Sequence, residues 1–195
     1  MFRRVLVLAA CAAALAGCAT TSAPLSQAPV AAYRDTVTLA GRLSVNYQKD
    51  GQPQSITGKF NWQQVPGRID VSLASPLGQT IAAISVTPES ATLNQAERAP
   101  RVAKDLETLT RDSLGWALPV SGLRDWLQGY ATGADGQRFT ASPANDHVVT
   151  KDGWRLRFVS WQDADTAAPQ PKRIDAERNI GGDALAIRIV IDPAA

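Results

Sequence analysis

From Val37 to the end of the chain, apolar and polar residues alternate in short runs that turn residues separate from one another. In the run RIDVSLA, for example, Ile69, Val71 and Leu73 lie on one side of an extended chain and polar residues lie on the other. Consecutive strands that are joined by short turns pair antiparallel. The alternation therefore constrains most of the chain to a mainly β fold built from hairpins. The turns between the first runs are Asp50-Gly51, Pro66-Gly67 and Pro76-Leu77-Gly78.

Two segments in the middle of the chain have a helical period instead. Residues 100–113 place Val102, Leu106 and Leu109 on one side of a helix, and residues 119–129 predict a second one-sided helix. Both segments begin with proline, and a glycine follows the first and ends the second, as is typical of helix boundaries. Short one-sided helices need an apolar surface to lie on. The pattern therefore predicts about ten strands in a highly curved antiparallel sheet, open or barrel-like, with the helices covering one mouth.

The first residues have the features of a bacterial lipoprotein signal peptide. Arg3 and Arg4 precede an apolar stretch, residues 5–16, that is too short to span a bilayer as a helix. It ends in Leu15-Ala16-Gly17-Cys18, where small residues precede a cysteine. The thiol of such a cysteine takes a diacylglyceryl group, and its amine, freed by cleavage, takes a further acyl chain. The alternative is an ordinary signal peptide that is cut after small residues, with Cys18 incidental.

Cleavage before Cys18 divides the chain into three parts. Residues 1–17 are the predicted signal peptide, residues 18–36 a flexible lipid-anchored tether, and residues 37–195 a single domain. The mature chain then has one cysteine and no disulfide, although the periplasm would permit one. Ala19 stands where an Asp would resemble an inner-membrane retention signal. We therefore expect a protein anchored through Cys18 to the outer membrane and facing the periplasm.

Charge and motifs exclude several functional classes. Loss of Arg3 and Arg4 with the signal peptide lowers Lys+Arg from 20 to 18, which equals the 18 Asp+Glu residues. This balance argues against nucleic acid, which requires a basic face. The single histidine, His147, cannot form a metal site alone, and no phosphate-binding glycine loop or Gly-x-Ser-x-Gly motif occurs. We predict no enzyme activity, catalytic residue, metal or cofactor, and keep a hydrolase with an unrecognised site as a rival.

Two apolar features need a further explanation. Five tryptophans occur in the mature chain, and they either pack in a core or line a cavity for an apolar ligand. Leu77 lies at the tip of Ser75-Pro76-Leu77-Gly78, a sequence that suits a type I turn. Turn tips normally carry polar residues because they lie in water. An exposed leucine at this position suggests contact with something apolar.

Four motifs, in order behind the signal peptide, resemble the LolB family of outer-membrane lipoprotein receptors. The resemblance extends from about residue 36 to the C-terminus, and the motif at 114–129 is the most specific of the four. The motifs are GRLSV at 41–45, GKFNWQQ at 58–64, ASPLGQT at 74–80 and LGWALPVSGLRDWLQG at 114–129.

The resemblance implies a half-open antiparallel β-barrel of about ten to eleven strands, with short helices as a lid over an apolar cavity. Members of the family take acylated lipoproteins from the periplasmic chaperone LolA and place the acyl chains in the inner leaflet of the outer membrane. The step needs neither nucleotide nor covalent chemistry, and we expect a monomer. The alternative is a structural lipoprotein that scaffolds another envelope complex, which predicts a filled barrel without lipid binding.

The resemblance also implies two sets of site residues. A membrane-insertion loop contains Pro76, Leu77 and Gly78, with Leu77 at the bilayer. The residues expected to form the acyl-chain cavity are the apolar members of the strand faces and helices: Leu43, Val45, Phe60, Trp62, Val71, Leu73, Leu106, Leu109, Leu123, Trp126, Trp154 and Leu156.

Overall fold

The computed structural model describes residues 24–49, 51–96, 98–114, 119–180 and 183–193. These residues form twelve strands and two helices. The strands are β1 (Val37–Lys49), β2 (Gln52–Val65), β3 (Arg68–Ala74), β4 (Thr80–Val86), β5 (Ala91–Gln95), β6 (Arg101–Ala103), β7 (Tyr130–Thr132), β8 (Arg138–Thr140), β9 (His147–Val149), β10 (Arg155–Gln162), β11 (Gln170–Ile180) and β12 (Asp183–Ile191). The helices are α1 (Leu106–Leu114) and α2 (Val120–Trp126).

Ten of the strands form one antiparallel sheet in the order β6-β5-β4-β3-β2-β1-β12-β11-β10-β9. Strands that follow one another in the chain are neighbours in each half, and β1 joins β12 across the middle. Strands β7 and β8 form a separate hairpin. Within the described ranges, β6 and β9 end the sheet and do not pair with each other. The predicted mainly β, half-open antiparallel architecture is confirmed.

One face of the sheet carries the core. In β12, Leu185, Ile187, Ile189 and Ile191 are all buried, while Arg188 between them is exposed. The alternation seen in the sequence therefore places apolar side chains on the concave face. Because each fully buried aliphatic side chain contributes about 1.5–3 kcal/mol, this face stabilises the fold.

The opposite face of the sheet carries ion pairs, one within β11 and one between β11 and β12. Arg173 Nη2 lies 2.6 Å from Asp175 Oδ2, and Arg188 Nε lies 3.3 Å from Asp175 Oδ1. Burial acts to raise the pKa of the Asp175 carboxyl, but the hydrogen bond from Arg173 and the two positive charges outweigh it and lower that pKa. The pairs are solvated, so each contributes little to stability.

The first helix is shorter than the sequence predicts. Residues 101–103 form β6 and pair with β5, and Val102 is 67% exposed. The helix begins at Leu106, because the Asp105 carboxylate accepts a hydrogen bond from Thr108 N at 2.7 Å and caps the first turn. The prediction of a helix beginning at residue 100 was therefore wrong. Strands β6 and β7 have three residues each, too few for alternation to reveal them.

A glycine permits close approach of the strands at the middle of the sheet. Gly41 lies between Phe60 of β2 and Ile191 of β12. A Cβ atom there would meet the backbone oxygen of Val190, and it would lie 2.9 Å from Phe60 Cε1 and 3.1 Å from Ile191 Cα. The missing side chain leaves room for the Phe60 ring on the concave face.

We expect Gly41→Val to destabilise the fold by about 1–3 kcal/mol, because overpacking displaces the Phe60 ring and the neighbouring backbone. Urea unfolding monitored by circular dichroism measures the change. Asn46→Val, at an exposed position of the same strand, is the control and should change stability by less than about 0.5 kcal/mol. Equal stability of the two variants would contradict the prediction.

Residues 26–34, which we call the N-terminal segment, lie against the domain. Val30 N donates a hydrogen bond to Ala141 O at 3.0 Å, and Ala144 N donates to Ser26 O at 3.0 Å. The Val30 side chain is buried and lies where a side chain at Gly129 would clash with it. The segment is therefore held by both backbone hydrogen bonds and packing.

The predicted boundaries of the tether change accordingly. A flexible tether over residues 18–36 is expected from composition, but from residue 26 the chain is docked on the domain. The predicted tether therefore ends before residue 26. Cys18 and the predicted signal peptide lie outside the described residues. In the part of the chain that is described, no helix is long and apolar enough to cross a membrane.

Candidate functional site: an apolar cavity and a protruding loop

An apolar cavity of about 170 Å³ lies between the concave face of the sheet and the two helices. The sheet side is formed by β1–β5 and β12, and the helix side by Val120, Leu123 and Leu127 of the α2 region and Thr110 of α1. Almost the whole wall is carbon, so the cavity does not offer water the polar partners that it needs. Such a space can hold an apolar ligand.

Seven of the predicted cavity residues line this space. They come from three neighbouring strands and from α2, and the sheet register aligns them: Phe60 lies opposite Leu73, and Trp62 opposite Val71. Trp62 is only 2% exposed and is the one tryptophan of the described residues on the wall. The seven residues are Leu43, Val45, Phe60, Trp62, Val71, Leu73 and Leu123.

The other five predicted residues are buried elsewhere in the core and are absent from the cavity wall. They are Leu106, Leu109, Trp126, Trp154 and Leu156. Two of them pack on each other, since the rings of Trp126 and Trp154 have centroids 5.6 Å apart. Alternation identifies the concave face, but it does not distinguish the part of that face that packs against other side chains from the part that borders a cavity.

Several wall residues were not predicted as site residues. Ile187 and Ile189 of β12 reach the cavity because they lie opposite Val45 and Leu43 of β1. The alternation of β12 placed them on the right face, but only the pairing of β12 with β1 brings that face to the cavity. The remaining wall residues are Ile56, Ile81, Ala82, Ile84, Leu93, Gln95, Thr110, Val120 and Leu127.

Tyr33 of the N-terminal segment connects the cavity wall to the lid. Gln64 Nε2 donates a hydrogen bond to Tyr33 Oη at 3.0 Å, and Arg124 Nε of α2 donates to the same oxygen at 2.9 Å. Gln64 Oε1 in turn accepts a hydrogen bond from Trp62 Nε1 at 3.4 Å. The docked segment thereby positions α2 relative to β2. Burial raises the pKa of the neighbouring Asp125 carboxyl, opposed by the nearby arginine charges and by a hydrogen bond from Tyr33.

We expect Tyr33→Phe to destabilise the protein by about 1–3 kcal/mol, because the buried Gln64 amide then loses its hydrogen-bond acceptor. Urea unfolding measures the loss. In a double-mutant cycle with Gln64→Leu, the combined loss should be smaller than the sum of the single losses. Additive losses would show that the two side chains are not coupled.

The loop between β3 and β4 projects Leu77 into solvent. Gly78 N donates a hydrogen bond to Ser75 O at 2.8 Å, and Ser75 N donates to Gln79 O at 2.8 Å. Gly78 has a φ of 89°, a conformation that favours glycine, whereas Leu77 keeps a negative φ, as a type I turn requires. Leu77 is 91% exposed, more than any other large apolar side chain of the described residues.

The loop and the cavity lie at the same end of the sheet. Leu73 and Ile81 border the loop on either side, and both line the cavity. The ladder of β3 and β4 shifts by one residue next to the loop, where Ala74 lies opposite Thr80 and Leu73 opposite Ala82. Ile81 is the extra residue of this irregularity and has no partner in β3. Its side chain is 41% exposed and lines the cavity next to the loop.

Among the described residues, no cluster of His, Cys, Asp and Glu could hold a metal ion. His147 is on the surface, where its Nδ1 lies 2.9 Å from Asp146 Oδ1. The features that the site provides are an apolar cavity, which can bind an apolar ligand, and the exposed side chain of Leu77.

The comparisons with known proteins agree with one another. The family described as Outer membrane lipoprotein LolB matches residues 35–193 of this chain. The outer-membrane lipoprotein LolB of Cupriavidus necator is 42% identical over 154 residues, which cover 78% of this chain and 77% of that protein. The corresponding protein of Ralstonia nicotianae is 34% identical over 198 residues, covering 96% and 94% of the two chains. That of Thiobacillus denitrificans is 36% identical over 199 residues, covering 97% and 96%. Since the family match spans the whole domain, the chain belongs to the LolB family of outer-membrane lipoproteins.

Proposed function

We propose that this outer-membrane lipoprotein receptor accepts acylated lipoproteins from the periplasmic chaperone LolA and inserts them into the inner leaflet of the outer membrane. The apolar cavity under α2 is the observation that supports the proposal most. Burial of an acyl chain contributes about 0.8 kcal/mol per methylene, so acyl chains cannot cross the aqueous periplasm unshielded. The apolar space between the sheet and α2 provides that shield.

The size of the cavity requires the lid to move during loading. A cavity of about 150 Å³ in another protein binds benzene, and the cavity here is about 170 Å³. It therefore holds only a part of one acyl chain in this conformation. We infer that α2 moves away from the sheet when a client enters, because α2 contributes most of the helix side of the wall.

The loop of Pro76, Leu77 and Gly78 is the proposed membrane-insertion site. Because Leu73 and Ile81 lie at both the loop and the cavity, insertion of Leu77 into the bilayer would bring that end of the cavity to the lipid surface. The acyl chains then reach the bilayer without crossing water. Transfer without an energy source requires that the free energy of the client falls at each step, from LolA to the receptor and from the receptor to the bilayer. A tenfold difference in affinity between two successive binding partners corresponds to only about 1.4 kcal/mol.

The proposed anchor is the acylated Cys18, which would hold the domain on the periplasmic side of the outer membrane. Between Cys18 and the first docked residue, Ser26, a short stretch of chain limits the distance of the domain from the lipid surface. This short distance suits a receptor that delivers its client to the same membrane in which the receptor itself is anchored. We propose that the protein acts as a monomer.

A handover assay tests the proposal. The protein without residues 1–18 is mixed with LolA that carries a triacylated lipoprotein, and liposomes are then added and separated by flotation. We expect the client to move to the protein and then to the liposomes. A client that stays on LolA under all conditions would overturn the proposal and favour the scaffold.

The two rivals predict other properties. A scaffold predicts a filled interior, and an open cavity of about 170 Å³ does not favour it. A hydrolase predicts turnover of an ester or amide, whereas the LolB family is one of transport receptors. Incubation with a lipoprotein and mass spectrometry of the products would detect such turnover.

A further inference from the structure

We propose that the side-chain amide of Gln95 recognises the amide group that links an acyl chain to the N-terminal cysteine of a client. The inference rests on the proposed function, because it requires that acyl chains enter the cavity. It goes further by assigning a polar subsite and a chemical preference to a cavity whose wall is otherwise apolar.

The first observation is an unpaired acceptor. Two polar side chains, Gln95 and Thr110, border the cavity. The Thr110 hydroxyl is satisfied within its own helix, since it donates to Leu106 O at 2.9 Å. Gln95 Oε1, in contrast, is buried and has no hydrogen-bond partner, which sets it apart from the other buried side-chain oxygen and nitrogen atoms of the described residues. A buried acceptor without a partner is unfavourable, and a ligand with a donor would satisfy it.

The second observation is the position of Gln95 along the cavity. Gln95 pairs with Ala82, which pairs with Leu73 next to the protruding loop. The row of Leu93, Ile84 and Val71 lies two residues further from the loop and is entirely apolar. An acyl chain that enters from the loop end with its tail first therefore lies along the apolar row. Its linkage to the polypeptide then lies at the level of Gln95.

The third step is the chemistry of the linkage. An ester offers only acceptors, whereas an amide offers an N–H donor as well. A client cysteine carries ester-linked chains on its glyceryl group and an amide-linked chain on its nitrogen. Gln95 Oε1 can pair with the amide N–H and cannot pair with an ester. The geometry thus gives the cavity a preference for the amide-linked chain.

The preference is measured with two ligands of equal chain length, dodecanamide and methyl dodecanoate. The whole mature polypeptide, residues 18–195, is loaded with diphenylhexatriene, which fluoresces in apolar surroundings and has no polar atoms. Each ligand displaces the fluorophore, and the two displacement curves give the ratio of the dissociation constants for ester and amide. Because the ratio is compared between variants, the different water solubilities of the ligands cancel.

We expect Gln95→Leu to lower the ester-to-amide ratio about tenfold relative to the wild type, with little change in binding of the ester. Gln95→Met, which keeps the length of the side chain, should give the same result and guards against a folding defect in the first variant. Asn94→Leu, one residue away on the opposite face of β5, is the matched control and should keep the wild-type ratio.

An unchanged ratio in both Gln95 variants would overturn the inference and leave the proposed function intact. Failure of both ligands to displace the fluorophore from the wild-type protein would overturn the proposed function together with the inference. A lower ratio in the control as well as in the Gln95 variants would show that the preference arises elsewhere and would also overturn the inference.

Discussion

Leu77→Glu is expected to abolish the transfer of client lipoproteins to liposomes, while the client still moves from LolA to the protein. Leu77 is 91% exposed at the tip of the β3–β4 loop. Burial of a leucine side chain in the bilayer contributes about 1.5–3 kcal/mol, which corresponds to roughly tenfold to hundredfold in transfer, and a glutamate adds the cost of burying a charge. The substitution removes no contact within the fold, so stability should change by less than about 0.5 kcal/mol.

A matched variant separates membrane contact from a general loss of apolar surface. Val65→Glu changes another exposed apolar residue, at the end of β2 and thus at the opposite end of the sheet. This variant should transfer the client as the wild type does, and Leu77→Ala should be intermediate between the wild type and Leu77→Glu. Transfer by Leu77→Glu at the wild-type rate would refute the role of the loop, even if the cavity binds acyl chains.

Ala82→Phe is expected to abolish binding of apolar ligands to the cavity and, with it, acceptance of the client from LolA. Ala82 is buried on the cavity wall between Leu73 and Gln95, so a phenyl ring there projects into the free space of about 170 Å³. The ring occupies the volume that an acyl chain would need. Because the ring fills a cavity and does not press on a packed core, we expect the stability to be kept or slightly raised.

Ala83→Phe is the matched control, since Ala83 follows in the same strand and its side chain lies on the opposite face of the sheet. Displacement of diphenylhexatriene by a fatty acid measures the binding of both variants, and thermal unfolding measures their stability. We expect Ala83→Phe to bind as the wild type does. Normal binding and handover by stable Ala82→Phe protein would show that acyl chains bind elsewhere.

The two substitutions test different steps. Ala82→Phe should stop the protein at acceptance, with the client left on LolA. Leu77→Glu should stop it at release, with the client left on the protein. A liposome flotation assay distinguishes these outcomes because it shows which of the three partners holds the client.

The accuracy of the sequence-based predictions differs between the elements of the fold. Alternation predicts the hairpin of β3 and β4 well. Each of these strands has seven residues and turns one face to the core, so that a period of two is visible in the sequence. Alternation does not reveal β6, which has three residues and an exposed valine, because the helical spacing of Val102, Leu106 and Leu109 predicts a helix there. Composition predicted a flexible tether through residue 36, but Tyr33 and Val30 find partners that are distant in sequence.

The sequence alone determined the mainly β class, the two amphipathic helices and the exposed turn at Leu77, while the lipid attachment at Cys18 stays a prediction. These features depend on residues that are close together in the chain, so spacing reveals them. Only the tertiary structure decided that Trp62 borders the cavity while Trp126 and Trp154 pack on each other, and that Gln95 Oε1 is buried without a partner. Each of these depends on which strands and helices meet, and a pattern along one strand shows its buried face without showing what lies across from it.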